Sequence, residues 1–368
     1  MTTLTKKSGR TELELALEAC RAALADANIA SDRVDAVLTY HLNDSAPVNA
    51  VAGSLGTSAT TWTNEFYGGG SQAASILGDA AALIEAGIAS TVLIYRALNG
   101  RSGKRMGQAP IRLGAGGQDQ FTLPYGLYGP VHLFALSAQR WLHERGASET
   151  DLAAVVTQSR AHALNNPLAL MRESFSEQDH ASSPYVATPL RRVDCCQESD
   201  GAAALVVTRT DLAESARPGS PRIHAVVRGG GEGASSMDKA PDLTRIFSAY
   251  IARPLYDAAG MSPADIDVAQ LYDAYSHLVL AQLEDFGMCA PGESGAFVRD
   301  GQTSSTGQVP VNLNGGLLSE GYVHGLNNVL EAVRQLRGES HTQVAEPEVA
   351  LCTGFGGSFG SAAILVRP

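Results

Sequence analysis

Apolar residues recur along the chain at two alternating spacings. In residues 11–28, Leu13, Leu15, Ala16, Ala19, Ala23 and Ala27 follow one another mostly at three- and four-residue steps, which predicts an amphipathic helix. The β-rich run VDAVLTYHL comes next. The alternation continues as a helix over 71–86, a strand over 90–95 and, beyond a glycine-rich segment, a long helix over 131–145. SDGAAALVVT, at 199–208, reads as a buried strand entered through a glycine turn. ARPGSPR, at 216–222, interrupts the pattern as a linker. The pattern then restarts with IHAVVRGGG, a helix over about 243–259, and the strand-like IDVAQLYDAY.

The restart is also a repeat in residues. DANIASDRVDAVLTY (26–40) aligns with DAAGMSPADIDVAQLY (257–272) with one gap, each a helix end, a short turn and a strand. Two similar halves, 1–215 and 222–368, therefore predict duplicated α/β domains joined face to face.

With 368 residues, 44% of them hydrophobic, each half can bury a real core. A formal charge of -11 and the lack of a basic stripe argue against a nucleic-acid surface, because Lys104-Arg105 and Arg191-Arg192 are isolated pairs. Cys20, Cys195, Cys196, Cys289 and Cys352 form no C-x-x-C pair, so neither a disulfide framework nor a metal ribbon is expected. No apolar run is long enough for a membrane span, and the N-terminus lacks a signal-peptide core. The expectation is a soluble, cytoplasmic protein.

Four glycine-marked junctions lie where strands should hand over to helices or turns, the place where open α/β sheets bind ligands. They are NEFYGGGSQAA (64–74), LYDAYSH (271–277), NGGLLSEGYVHG (314–325) and LCTGFGGSFGSAA (351–363). Each has a plain structural reading. YGGGSQAA lacks both the lysine of a P-loop and G-x-G-x-x-G spacing, so it reads as a tight turn against a helix start. Tyr272 and Tyr275 end an apolar run as core aromatics would. Asp273 is placed to cap a helix beginning near Ser276. Cys352, on an apolar strand, reads as a buried, inert thiol.

Taken in order, the four junctions resemble the motifs of the thiolase superfamily, over nearly the whole chain. Asn64-Glu65-Phe66-Tyr67-Gly68-Gly69-Gly70 stands where thiolases carry N-x-x-C-x-[ST]-G. Tyr272-Asp273-Ala274-Tyr275 stands for N-E-A-F or H-D-C-F. Gly315-Gly316 through Gly321-Tyr322-Val323-His324-Gly325 stands for G-G-x-x-x-x-G-H-P-x-G, and Cys352-Thr353-Gly354-Phe355-Gly356-Gly357 for C-x-G-G-G. The resemblance implies a thiolase-like α/β fold of five layers, αβαβα, and association as a dimer through the first-half sheet. One departure is structural: thiolases open with an apolar strand, whereas residues 1–10 are polar and basic, which leaves the sheet edge without that strand or places the true start upstream.

The other departures concern chemistry. The slot of the acyl-accepting cysteine holds Tyr67, or the neighbouring glycine if the alignment slips by one. A phenol of ordinary pKa near 10 is a poor acyl acceptor at neutral pH. Tyr272 and Tyr322 replace the two groups that help to hold the thioester oxygen. This pattern resembles the lipid-transfer-protein branch of the superfamily, near the sterol-carrier-protein-type thiolases, whose members include retro-aldolases acting on steroid acyl-CoA thioesters.

The resemblance implies carbon–carbon cleavage of a β-hydroxyacyl-CoA to a ketone plus propionyl-CoA or a similar short acyl-CoA. No cofactor or metal is needed, since the CoA belongs to the substrate. It also implies a small OB-fold/zinc-ribbon partner protein in an α2β2 assembly. Tyr272, near a predicted helix start whose dipole lowers its pKa, would take the β-hydroxyl proton. Tyr322 would protonate the enolate or donate a hydrogen bond to it. His324 would orient a tyrosine, touch the thioester, or serve only the loop. Tyr67, Gly68, Gly69, Asp273, Cys352, Gly354 and Gly356 would line the substrate site, and Lys104 and Arg105 would meet CoA phosphates or remain solvated. The competing readings are an acyltransferase using Cys352 or Cys289 and a non-catalytic binder of lipid or acyl-CoA.

Overall fold

A computed structural model describes residues 1–103, 105, 120–232 and 237–368. The first helix, α1 (Glu12–Asp26), begins where its sequence provides a cap. Thr11 Oγ1 accepts the Glu14 amide at 3.2 Å while the Glu14 carboxylate accepts the Thr11 amide at 2.8 Å. The strands are β1 (Ala36–His41), β2 (Trp62–Tyr67), β3 (Thr91–Asn99), β4 (Tyr185–Ala187), β5 (Leu190–Arg191), β6 (Asp200–Thr208), β7 (Arg222–Gly229), β8 (Val268–Gln270), β9 (Val349–Phe355) and β10 (Gly360–Val366). The remaining helices are α2 (Val48–Leu55), α3 (Ser75–Glu85), α4 (Pro130–Arg145), α5 (Glu149–Leu164), α6 (Glu177–Ser182), α7 (Thr210–Ala216), α8 (Ser248–Ala259), α9 (Ser276–Asp285), α10 (Ser294–Arg299), α11 (Gly316–Ser319) and α12 (Leu326–Arg337).

Two four-stranded sheets form, in the orders β2-β1-β3-β6 and β7-β10-β9-β8. Their pairings repeat. β1 runs parallel to β3, which runs antiparallel to β6; likewise β8 runs parallel to β9, which runs antiparallel to β10. β10 is flanked in turn by antiparallel β7. The matching place beside β6 belongs to the polar N-terminus: Thr5 bridges Asp200, and the Thr2 amide donates to the Ala202 carbonyl at 2.8 Å. The edge expected to lack a strand is thus covered by a short extended segment, with Thr2 and Leu4 buried on one side by the period-two alternation.

That alternation also sets the layers. On β1 and β3, Val37, Leu93 and Tyr95 face α1 and α2, whereas Leu38, Tyr40, Val92 and Ile94 face a central layer of α3 and α12. The central helices also pack on Val268, Ala350 and Leu365 of the second sheet. Beyond it, α8 and α9 close the outer face through Leu255, Leu278 and Leu283. Burying each such side chain contributes roughly 1.5–3 kcal/mol, so both sheets are held chiefly by their covered faces.

Two features differ from the sequence expectation. The strand read over 266–275 stops at Gln270, because the next two amides leave the ladder: Leu271 donates to Asn312 Oδ1 and Tyr272 to Thr353 Oγ1, each at 2.8 Å. The chain there becomes a loop. The sheets divide at the 216–222 linker but the cores do not, since Phe134, Trp141 and Leu152 share one cluster with Leu255, Leu278 and Phe355. Among the described residues, no helix is long and apolar enough to cross a membrane.

Candidate active site

Three of the four junctions supply a compact polar centre. Tyr272, in the loop after β8, and Tyr322, in the loop before α12, place their hydroxyl oxygens 2.9 Å apart, and either can donate. Tyr272 is buried and Tyr322 half-buried. Burial pushes both phenols above their ordinary pKa; for Tyr272 the hydrogen bond with Tyr322 works in the opposite direction. The lowered pKa expected from a helix start is therefore not found. Tyr272 lies four residues before α9, and its hydroxyl meets another phenol in a desolvated site.

The first junction meets this pair at Gly70. A Cβ on Gly70 would overlap the Tyr272 hydroxyl, so the phenol occupies the volume that a side chain at this position would need. Tyr67, which stands in the slot of the acyl-accepting cysteine, lies apart from this pair: it ends β2 with 70% of its surface exposed, its ring 6.1 Å from that of His41. Gly68, at φ +147°, turns the chain, and a Cβ there would crowd Gln72. A Cβ on Gly69 would come 3.4 Å from His324 Nε2.

The fourth junction packs beneath the same turn. Gly354 abuts the Gly70 carbonyl and Gly356 abuts Ser71, so both serve the close approach of β9 to the turn. Cys352 is set apart from this centre: fully buried on β9 opposite Ala363, it belongs to the central core, and burial pushes its thiol up to about 12. It is a packing residue, as the simpler sequence reading had it, and not part of the substrate surface. Cys289, Cys195 and Cys196 are also pushed up by burial, so none is poised as a thiolate.

Asp273 neither caps α9 nor lines a substrate surface. The residue before α9 is Tyr275, with no side-chain cap, and the buried Asp273 carboxylate accepts the amides of Leu317 at 2.9 Å and Leu318 at 3.2 Å, with Asn328 Nδ2 at 3.4 Å. Burial pushes it up to about 6 despite these donors. Its function is to hold the start of α11 and so the loop that carries Tyr322. Glu320, in that loop, accepts Asn166, Asn314 and Asn327 at 3.0, 2.7 and 2.8 Å, and the Tyr322 amide donates to Ser199 Oγ at 2.6 Å. Many fixed donors and acceptors thus hold a glycine-rich segment in one shape.

His324 lies in the left-handed region at φ +48°, its ring edge-on to Tyr322 with centroids 4.7 Å apart. Behind it stands Arg96, a residue not singled out from sequence although an arginine inside TVLIYRALN is the available signal. The guanidinium is fully buried and contacts His324 Nδ1 through Nη2 at 2.6 Å and Nε at 3.1 Å, while Nη2 also meets Asp44 Oδ1 at 2.6 Å. Burial and the Arg96 charge lower the imidazole to about 3, so it stays neutral. Arg105 is engaged by Glu198 at 2.6 Å, and Lys104 lies outside the described residues. Among the described residues no cluster of side chains suits a metal ion.

Known proteins share both sequence and shape with this chain. Residues 229–367 match the family "Thiolase C-terminal domain-like". The 17-hydroxy-3-oxo-4-pregnene-20-carboxyl-CoA lyase of Mycobacterium tuberculosis is 38% identical over 361 residues, covering 96% of this chain and 93% of the relative. The steroid side-chain-cleaving aldolase of Thermomonospora curvata is 37% identical, covering 96% and 92%. The solved Ltp2-ChsH2(DUF35) aldolase superposes with a TM-score of 0.92 at 36% identity, over all of this chain and 95% of that one. Human mitochondrial 3-ketoacyl-CoA thiolase, 16% identical with a TM-score of 0.70 over 99% of this chain and 94% of that one, shares the fold. The chain belongs to the thiolase-like family of steroid side-chain-cleaving aldolases and lyases.

Proposed function

We propose that this protein cleaves the Cα–Cβ bond of a β-hydroxyacyl-CoA, a steroid side-chain thioester with a tertiary hydroxyl, to a ketone and propionyl-CoA or a similar short acyl-CoA. The observation that carries this reading is the Tyr272–Tyr322 hydroxyl pair, two hydrogen-bonded acid–base groups packed beside Gly70. The β-hydroxyl gives its proton to Tyr272 as Tyr272 passes its own to Tyr322. The electron pair of the O–H bond forms the ketone, the Cα–Cβ pair moves into the enolate, and Tyr322 delivers its proton to Cα. Every proton is accounted for, and no free phenolate accumulates. A relay of this kind suits phenols whose burial makes the anion costly.

The reaction needs no cofactor, because the CoA thioester itself stabilises the departing carbanion. Acyl transfer through Cys352 or Cys289 is disfavoured by the raised thiol pKa of each. The name of the solved relative joins an aldolase to ChsH2(DUF35), which supports a second protein here; we assign that place to an OB-fold/zinc-ribbon subunit in an α2β2 complex. The exposed edge strand β2, with Trp62 and Tyr67 turned outward, suits pairing between two copies of this chain. We assign the complex to the cytoplasm. The test is release of both ketone and short acyl-CoA from a tertiary β-hydroxyacyl-CoA by the purified chain, alone and with the partner. Release in equal amounts is expected; a stable acyl-enzyme adduct or no cleavage in either state would contradict it.

A further inference from the structure

We propose that His324 presents a permanently fixed Nε2–H to the thioester carbonyl of the substrate, and that Arg96 is the positioning residue that fixes it. This rests on the retro-aldol reading above and adds to it the group that receives the enolate oxygen.

The argument begins with the chemistry of arginine. A guanidinium carries only donors, so an imidazole nitrogen 2.6 Å from Arg96 Nη2 and 3.1 Å from Nε must offer its lone pair. That nitrogen is His324 Nδ1. In a neutral ring the proton then resides on Nε2, and the opposite tautomer would set a ring N–H against a guanidinium N–H. The lowered imidazole pKa agrees with this state. Arg96 cannot swing away, because Nη1 donates to the Ala97 carbonyl at 2.7 Å and Nη2 to Asp44 Oδ1 at 2.6 Å, inside a site where the arginine is fully buried.

The backbone is fixed as well. His324 has the left-handed φ of +48°, which a branched or bulky side chain rarely adopts, and its carbonyl accepts the Tyr40 hydroxyl at 3.0 Å. The ring edge-packs on Tyr322. Nε2 faces Gly69, and no described side chain or carbonyl accepts its proton. A donor held at this angle, next to the phenol that protonates Cα, is suited to the oxygen on which negative charge develops when the bond breaks. Because the ring is neutral and its other nitrogen is spent, His324 acts as a donor and not as a base. The preferred group is a carbonyl conjugated to the breaking bond, as in a thioester.

Two measurements test this. In histidine-labelled protein, ¹⁵N–¹H long-range correlation at pH 6 and pH 8 reports the tautomer without any ligand. His324 is expected as neutral Nε2–H at both; an imidazolium or Nδ1–H signal would overturn the proposal. Isotope-edited infrared spectra of [1-¹³C]propionyl-CoA bound to the complex report the hydrogen bond on its carbonyl. The C=O stretch is expected to fall on binding to wild type, to return toward the solution value in His324→Ala and Arg96→Met, and to stay low in His324→Gln, whose amide reaches the same place. The kcat of His324→Ala should drop by ~10²–10³-fold with little change in KM. An unchanged stretch and kcat in His324→Ala would overturn the proposal. If Arg96→Met does not fold, the wild-type tautomer and the His324 variants still decide it. Failure of the retro-aldol reading looks different: no cleavage by wild type, with the carbonyl shift intact.

Discussion

The Tyr272 and Tyr322 hydroxyls form a 2.9 Å hydrogen bond between two loops of the second half, the one joining β8 to α9 and the one joining α11 to α12. On the proposed reading, this bond is the acid–base relay for carbon–carbon cleavage in a thiolase-like frame. The Tyr272 phenol fills the space that a side chain at position 70 would need, so Gly70 is required for this placement of the pair.

Gly70→Ala tests that close approach. The added methyl must displace the Tyr272 ring, so stability should fall by about 1–3 kcal/mol and cleavage should fall further than stability explains. Gly70→Cys should lose cleavage in the same way without gaining acyl transfer. Urea unfolding and the cleavage assay together check this.

Asp273 makes folding stability depend on pH through a raised carboxyl. Its folded pKa, about 6, lies above the unfolded value, so the unfolded state loses its proton first and stability falls as pH rises from about 4 to about 6. The contribution is complete below the unfolded pKa and lost above the folded one. A two-unit shift bounds it at roughly 3 kcal/mol. Asp273→Asn cannot titrate, so the difference in unfolding free energy, variant minus wild type, should rise between pH 4 and pH 7. Asp273→Ala should destabilise at both pH values, because the amides of Leu317 and Leu318 would lose their acceptor.

Cys352→Ala should leave kcat unchanged and cost only packing, since the thiol lies in the central core and not at the phenols. Alkylation by iodoacetamide of the folded protein should spare this residue. Intact mass after exposure to an acyl-CoA should show no acyl adduct on the chain.

The periodic elements were legible because they are local. The apolar spacing from Leu13 to Ala27 marks α1, and the restart after 216–222 anticipates the second sheet. Asp273 was misread because a carboxylate three residues before a helix looks like a cap; its actual partners, the α11 amides, lie 44 and 45 residues away. Cys352 matched a motif letter, yet its strand sends the side chain into the sheet interior. The end of β8 was hidden for a related reason: Asn312 and Thr353, distant in sequence, take the amides that would have continued it. Arg96 carried a signal, a charge inside an apolar strand, but its partners Asp44 and His324 are visible only in three dimensions.

The central claim, that the two phenols form one relay, is tested most directly by a double-mutant cycle on cleavage of a tertiary β-hydroxyacyl-CoA with the partner subunit present. Tyr272→Phe and Tyr322→Phe should each lower kcat by ~10²–10³-fold, and the double variant should lose little more than either alone, because breaking one link already stops the transfer. Losses that multiply, or wild-type kcat in either single variant, would contradict the relay.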